Sequence, residues 1–225
     1  MTILKNTVTF LCKVGMQILC DCDTSELSIV PKTGPLVLYA NHTGTIEAPL
    51  LYTALYPRSK VTGFGKAEIW QNKFLSFIFN LWEVIPVHRG EGDMNALRMA
   101  YKALDNGFIF GVAPEGTRSK DGALLKAQGG AVLLALHNDS PLIPVAHWGG
   151  ANFGSNVKKF KRTHVEIRVG RKFRFNQELE KVTKEVRQQM ADEMMYQLAK
   201  LLPEEFRGEY ADLENATEKY LIFLE

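Results

Sequence analysis

Pro35-Leu-Val-Leu-Tyr-Ala-Asn-His-Thr-Gly-Thr-Ile-Glu-Ala-Pro-Leu50 is the stretch on which the reading of the fold turns. Its first part, Leu36 to Ala40, is an unbroken apolar run and predicts a buried strand. Asn41, His42, Gly44 and two threonines then supply turn and N-cap chemistry. Ala48 to Tyr56 is long enough for a short helix that Pro57 stops. His42 is thus expected where a strand end meets a helix start, with Glu47 in the first helical turn. In an open α/β sheet, ligands bind there, outside the carboxyl ends of the strands. On one continuous helix this spacing would turn the two side chains roughly 140° apart. They can meet only if His42 stands on the preceding loop, as the imidazole of a His–carboxylate pair would. A lone His near a turn is more often structural, and a first-turn Glu suits the helix dipole in any case. The rest of the chain has to carry the weight.

Outward from this stretch, apolar runs alternate with helical patterns, which predicts an α/β domain. Lys60 to Phe64 reads as a short strand. Glu68 to Trp82 reads as a helix apolar around much of its circumference, so it is either deeply buried or touches something greasy. Glu83 to Val87 is a short strand whose Pro86 favours an edge. Asp93 should cap a helix carrying Met94, Leu97, Tyr101 and Leu104, closed by Asn106-Gly107. Phe108 to Val112 is the clearest buried strand and runs directly into Ala113-Pro-Glu-Gly-Thr-Arg118. A helix from about Gly122 to His137 and a strand from Pro141 to Ala146 follow. Residues 158 to 174 hold eight Lys or Arg against the single acid Glu166, and include an alternating strand, Thr163 to Val169. Asn176 should cap a long helix with Leu179, Val182, Val186, Met190, Met194, Leu198 and Leu201 on one face. Tyr210 to Glu225 reads as a short acidic helix. The fold expected is a single domain with a central mixed, largely parallel sheet flanked by helices. Before it, over residues 1–22, Leu4, Val8, Leu11, Val14 and Ile18 recur at helical spacing. That N-terminal amphipathic helix either packs on its own domain or lies at a membrane interface.

At 225 residues, 46% hydrophobic and 23% charged, the chain can bury a core without disulfides or metals. A net charge of +2 decides nothing about partners. Cys12, Cys20 and Cys22 form no disulfide framework and no zinc site, which favours reduced thiols in a cytoplasmic setting. No run reaches the length of a membrane span, and Lys5, Lys13 and Gln17 interrupt the start. There is no G-x-S-x-G elbow, no phosphate-binding P-loop, no dinucleotide fingerprint and no metal-ligand motif. The cationic segment lacks the interleaved stacking aromatics of a nucleic-acid binder, so no nucleic-acid partner is expected.

Three further segments fall at expected strand ends: Gly63-Phe-Gly-Lys66, Pro86-Val-His-Arg89-Gly90 and Pro114-Glu-Gly-Thr-Arg118-Ser119. Each offers glycine for close backbone approach and one cation. Lys66, Arg89 and Arg118 together could clamp a phosphate, the arginines in bidentate fashion. Taken singly, each could be a solvated surface group, and Glu115 could simply pair with Arg118.

In this order, with Ile143-Pro-Val145 after them, the blocks resemble those of the glycerolipid acyltransferases. These are the glycerol-3-phosphate and 1-acylglycerol-3-phosphate acyltransferases of the bacterial PlsC type. The resemblance covers about residues 30 to 175 and implies a glycerol-3-phosphate acyltransferase-like domain over 23–225. It implies His42 as the base and Glu47 as its orienting carboxylate. Lys66 matches the lysine block. Arg89, Glu115, Gly116 and Arg118 correspond to residues that bind the acceptor's phosphate and arrange the site. The Ile-Pro-Val block corresponds to one that shapes the acyl side. The family usually has Asp where this chain has Glu47, and commonly an aromatic where Ala113 stands. The extra methylene asks the carboxylate's backbone to sit slightly farther from His42.

The function implied is acyl transfer, without metal or cofactor, from acyl-CoA or acyl carrier protein to a lysophospholipid hydroxyl. The expected acceptor is 1-acyl-sn-glycerol-3-phosphate, giving phosphatidate. Glycerol-3-phosphate, another lysolipid, or a non-catalytic phospholipid-binding role are the alternatives. Such substrates place the protein peripherally on the cytoplasmic face of the cell membrane, with the N-terminal helix, the Phe74–Trp82 helix and the cationic segment toward lipid.

Overall fold

The computed structural model describes residues 2–88, 93–176 and 182–225. Helix α1 (Thr2–Leu19) leads into the short strand β1 (Cys20–Asp21). The apolar run at 36 forms β2 (Leu36–Ala40), then come α2 (Glu47–Leu55) and β3 (Val61–Lys66). Next are α3 (Lys73–Leu81), β4 (Ile85–Val87), α4 (Met94–Asp105) and β5 (Ile109–Val112). They are followed by α5 (Gly130–Leu136), β6 (Leu142–Trp148) and α6 (Phe153–Lys158). Strands β7 (Thr163–His164), β8 (Glu166–Val169) and β9 (Phe173–Phe175) precede α7 (Lys184–Ala199) and β10 (Leu221–Phe223).

Strands β6, β2, β5, β3 and β4 lie side by side in that order, all parallel. Strands β8 and β9 pair antiparallel with β6, and β10 antiparallel with β9. This is the mixed, largely parallel sheet expected, and β4 with its Pro86 lies at the edge. Strand β2 is central and buried along its whole length, so its apolar run does not alternate. Leu36 and Leu38 point toward α2 and α3, into a core with Leu51, Leu55 and Ile78. Val37, Tyr39 and Phe110 point the other way, toward α4, α5 and α7, among Ala100, Leu104, Val132 and Met194. Neighbouring β2 and β5 therefore send their outgoing chains to opposite faces. A crevice opens at the carboxyl end of such a pair.

Several expectations change. The greasy helix is broken at Asn72, whose side chain accepts the N–H groups of Phe74 and Leu75 and starts α3 afresh. The segment from Gly122 to Gly129 is a loop, not a helix. Gly122 has φ 88°, and the amides of Leu124, Leu125 and Gln128 are spent on Phe206, Glu115 and Pro114. Tyr210 to Glu225 forms turns and β10, because the buried Glu193 carboxylate takes the N–H groups of Lys219 and Tyr220 and the Thr217 hydroxyl. Helix α7 starts at Lys184 under a Thr183 cap; the expected helical turn carrying Leu179 lies outside the described residues.

Helix α1 has two apolar sides. Cys12, Met16 and Leu19 pack into the α2–α3 core, and the buried Thr9 hydroxyl accepts the Trp82 indole N–H at 3.0 Å. Of the residues at helical spacing, Leu4, Leu11 and Ile18 face outward with Ile3 and Phe10, whereas Val8 packs against the core. Helix α3 likewise buries Ile78 and exposes Phe74, Leu75 and Phe77. Among the described residues no helix is long and apolar enough to cross a membrane.

Candidate active site

Helix α2 begins at Glu47, so His42 stands on the loop before it, as a meeting of the two requires. His42 Nδ1 lies 2.5 Å from Glu47 Oε1, and the Gly44 N–H donates to the same oxygen at 3.0 Å. No side chain at Ile46 caps the helix; Glu47 itself folds the loop back by taking the Gly44 amide. Burial alone would push the Glu47 carboxyl up. The bond from His42, the nearby His147 ring and the Gly44 amide more than offset that and hold it well below the carboxylate range, at about 2. An ionised Glu47 can only accept, which assigns the shared proton to Nδ1 and leaves a lone pair on Nε2. The longer Glu side chain thus closes the pair.

Glu115 sits in the loop after β5 and is 3% exposed. Its Oε1 accepts the His42 backbone N–H at 2.7 Å and its Oε2 the Leu125 N–H at 2.9 Å. The Ser119 N–H donates to the His42 carbonyl at 2.8 Å. Both peptide groups of His42 are thereby tied to the loop after β5. Burial raises the Glu115 carboxyl above its ordinary value. Its oxygens are committed to backbone, so its part here is to position His42.

Asn41, expected only as turn and N-cap chemistry, pairs with His147, to which no spacing points. His147, the last residue but one of β6, is buried and holds its Nε2 2.7 Å from the Asn41 carbonyl. A carbonyl accepts, so that nitrogen carries the proton. Burial lowers the pKa of the ring and favours its neutral form. The Asn41 side chain donates to the His147 carbonyl at 2.7 Å and accepts its N–H at 2.9 Å. Together the two residues lock the ends of β2 and β6 beneath the His42 loop. The only sequence signal for His147 is its place at a strand end.

A cavity of about 180 Å³ runs from His42 and Glu47 between the sheet and helices α2 and α3. Its walls are apolar, with Leu38, Leu51, Tyr52 and Trp82 among them. Gly63 and Gly111 are register partners on its floor. A Cβ on Gly63 would lie 2.5 Å from the Gly111 carbonyl oxygen, so side chains are kept out of that part of the cavity. Val61, deeper in, stands level with Leu36 at the far end of β2.

The expected phosphate ligands are placed as follows. Lys66 ends β3 at the same end of the sheet as His42, is exposed, and pairs with Glu68 at 3.1 Å. Arg118 is exposed and directly precedes Ser119, whose amide holds the His42 carbonyl. Gly116 turns the loop with φ 68°. Arg89 lies outside the described residues. Among the described residues no cluster of three or more His, Cys, Asp or Glu is arranged to hold a metal ion.

The chain is 27% identical over 141 residues to the 1-acyl-sn-glycerol-3-phosphate acyltransferase of Bacillus subtilis, a match covering 63% of this chain and 68% of the relative. A chloroplastic 1-acyl-sn-glycerol-3-phosphate acyltransferase of Brassica napus is 24% identical over 150 residues, which span 65% of this chain and 43% of that protein. The crystal structure of the 1-acyl-sn-glycerophosphate acyltransferase PlsC of Thermotoga maritima superposes with a TM-score of 0.64. It shares 20% identity, with 84% of this chain and 76% of that one covered, and shows a common fold. The model of the family described as Acyltransferase matches residues 22–148. Because that match runs through β2, the His42–Glu47 pair and the Glu115 loop to the end of β6, the chain belongs to the Acyltransferase family.

Proposed function

We propose that this acyltransferase moves a fatty acyl group from acyl-CoA or acyl carrier protein to the free hydroxyl of 1-acyl-sn-glycerol-3-phosphate, forming phosphatidate in phospholipid synthesis. One observation carries the reading: a histidine whose Nδ1 is held 2.5 Å from an ionised carboxylate stands at the mouth of an apolar cavity. His42 Nε2 takes the proton of the acceptor hydroxyl while that oxygen attacks the thioester carbon. The tetrahedral intermediate then collapses, the carbon–sulfur bond breaks, and the thiolate recovers the proton from the imidazolium. Glu47 stabilises that imidazolium and holds its orientation, and no acyl-enzyme or metal is required. The cavity takes an acyl chain. Lys66, Arg89 and Arg118 take the acceptor phosphate and fix its hydroxyl near the base.

The acceptor and the acyl chain belong to a bilayer, and the exposed stripes of α1 and α3 support a peripheral position on a membrane, which we assign to its cytoplasmic face. Thioester consumption with 1-acyl-sn-glycerol-3-phosphate, glycerol-3-phosphate and lysolipids bearing head groups tests the assignment. Turnover should be fastest with the first. Failure with every acceptor would refute acyl transfer by this chain.

A further inference from the structure

The turn Lys158-Lys159-Phe160-Lys161-Arg162 has no part in the chemistry above. Phe160 is fully exposed, at 100%, and sits in the left-handed region with φ 54°. The turn is nevertheless well tied. The amides of Lys159 and Lys161 donate to the Asn156 carbonyl at 3.0 and 2.9 Å, and that of Phe160 to the Val157 carbonyl at 3.1 Å. The Asn156 side chain holds the Thr163 hydroxyl at 3.1 Å. The Arg162 guanidinium grips the carbonyls of Gln17 and Cys20, joining the turn to the carboxyl end of α1. Among the described residues, no acid pairs with Lys158, Lys159 or Lys161.

The turn also stands at the working end of the molecule. Strand β6 runs parallel to β2, so the chain leaves it at Trp148 on the side of His42. The following segment starts against the catalytic loop, where a Cβ on Gly150 would meet Ile46 at 3.2 Å. At its other end it reaches α1 beside the exposed Ile18.

We propose that this turn is an interfacial finger that sets Phe160 into a bilayer surface containing anionic lipid, with Lys158, Lys159 and Lys161 on the surrounding headgroup phosphates. The inference rests on the reading of the protein as an enzyme of bilayer-borne substrates. A single aromatic held out by its own backbone, ringed by unpaired ammonium groups, matches a surface that is apolar below and negatively charged above. It would add a second point of attachment to the outer stripe of α1 and bring the mouth of the site to the lipid.

The test is co-sedimentation of the full chain with vesicles of phosphatidylcholine, pure or mixed with phosphatidylglycerol. Turnover is followed in parallel on acceptor held in vesicles and on acceptor dispersed in detergent. Phe160→Ser should lower partitioning onto the mixed vesicles about ten-fold and slow turnover on vesicles, with turnover in detergent unchanged. At about five-fold per lysine near an anionic surface, the triple change K158Q/K159Q/K161Q should cost about a hundred-fold on mixed vesicles and little on phosphatidylcholine. Wild-type binding by both variants would overturn the proposal, as would equal wild-type binding to both vesicle types. Equal loss of turnover in detergent would overturn it by marking a structural defect. Binding of the wild type, but not of the triple variant, to acyl carrier protein with no vesicle binding by either would assign the turn to a protein partner instead. Vesicle binding through Phe160 with no thioester consumption would leave the finger standing and sink the acyl-transfer reading.

Discussion

His42 Nδ1 and Glu47 Oε1 meet at 2.5 Å across the junction of β2 and α2, and the Gly44 amide shares the carboxylate oxygen. The imidazole is thereby presented with one nitrogen fixed and the other free to act as a base.

Replacing His42 by Ala should lower turnover by roughly 10²- to 10⁴-fold, the usual yield of general base catalysis. Glu47→Gln should cost less, since an amide oxygen can still accept from Nδ1 but no longer offsets the imidazolium charge. Glu47→Asp retracts the carboxylate by a methylene and should also slow the enzyme. Steady-state rates on purified variants with unchanged circular dichroism check these; full turnover by His42→Ala would remove the base.

Acid stability should depend on Glu47 in a definite direction. Its folded pKa, about 2, lies below the ordinary 4.5, so its contribution is complete above 4.5 and is lost as pH falls toward 2. Glu115 acts oppositely: raised by burial, its carboxyl favours the fold less as pH climbs through 4.5 toward its folded value. Melting temperatures across this range should fall less steeply with acid in Glu47→Gln than in the wild type. Parallel curves would refute the linkage.

Glu115→Ala should destabilise the fold by about 1–3 kcal/mol in all, since it strands two partly buried amides, and reduce turnover by displacing His42. Glu115→Gln keeps one acceptor oxygen and should fall between. Urea denaturation alongside kinetics separates the two effects; a stable and fully active alanine variant would show that the loop holds His42 without this carboxylate.

Val61 tests the cavity. A larger side chain at this 8% exposed position, as in Val61→Phe, should shift preference toward shorter acyl thioesters, at a cost of about 1–3 kcal/mol in stability. A panel of thioesters of graded length reads the shift. An unchanged profile would place the acyl chain elsewhere.

Thr9→Val should strand the buried Trp82 N–H and destabilise the protein by about 1–3 kcal/mol. Thr9→Ser should restore most of it. A melt of the valine variant that matches the wild type would show that α1 is held by its apolar contacts alone.

Much of the architecture was legible because it rests on local chemistry. The buried run of β2, the Asp93 cap of α4, which takes the Ala96 amide at 2.9 Å, and the proline-marked edge strand β4 each depend on a few neighbouring residues. The same holds for the site: His42 on a loop and Glu47 in a first turn follow from where the apolar runs stop. The break in the greasy helix is local, made by the Asn72 side chain on the Phe74 and Leu75 amides; the other misread stretches are ones whose backbone groups bond to distant segments. In the Gly122–Gly129 loop the Leu124 amide goes to the Phe206 carbonyl and the Ala127 amide to the Tyr210 hydroxyl, each about 80 residues away, and β10 exists because Glu193 collects its approach. No pattern within either stretch announces those bonds.

The sequence by itself therefore determined the alternation of elements, the strand-end position of His42 and the membership of its downstream blocks in one order along the chain. Only the tertiary structure decided what those blocks do to one another. It committed Glu115 to the His42 backbone, put His147 beneath the loop 106 residues from its partner Asn41, and turned Leu4, Leu11 and Ile18 of α1 outward while Val8 and Thr9 faced in. Periodicity reports that a helix has an apolar face, but which face is covered depends on what packs against it. Hydrogen bonds between distant segments depend on the path of the whole chain, which only the assembled sheet fixes.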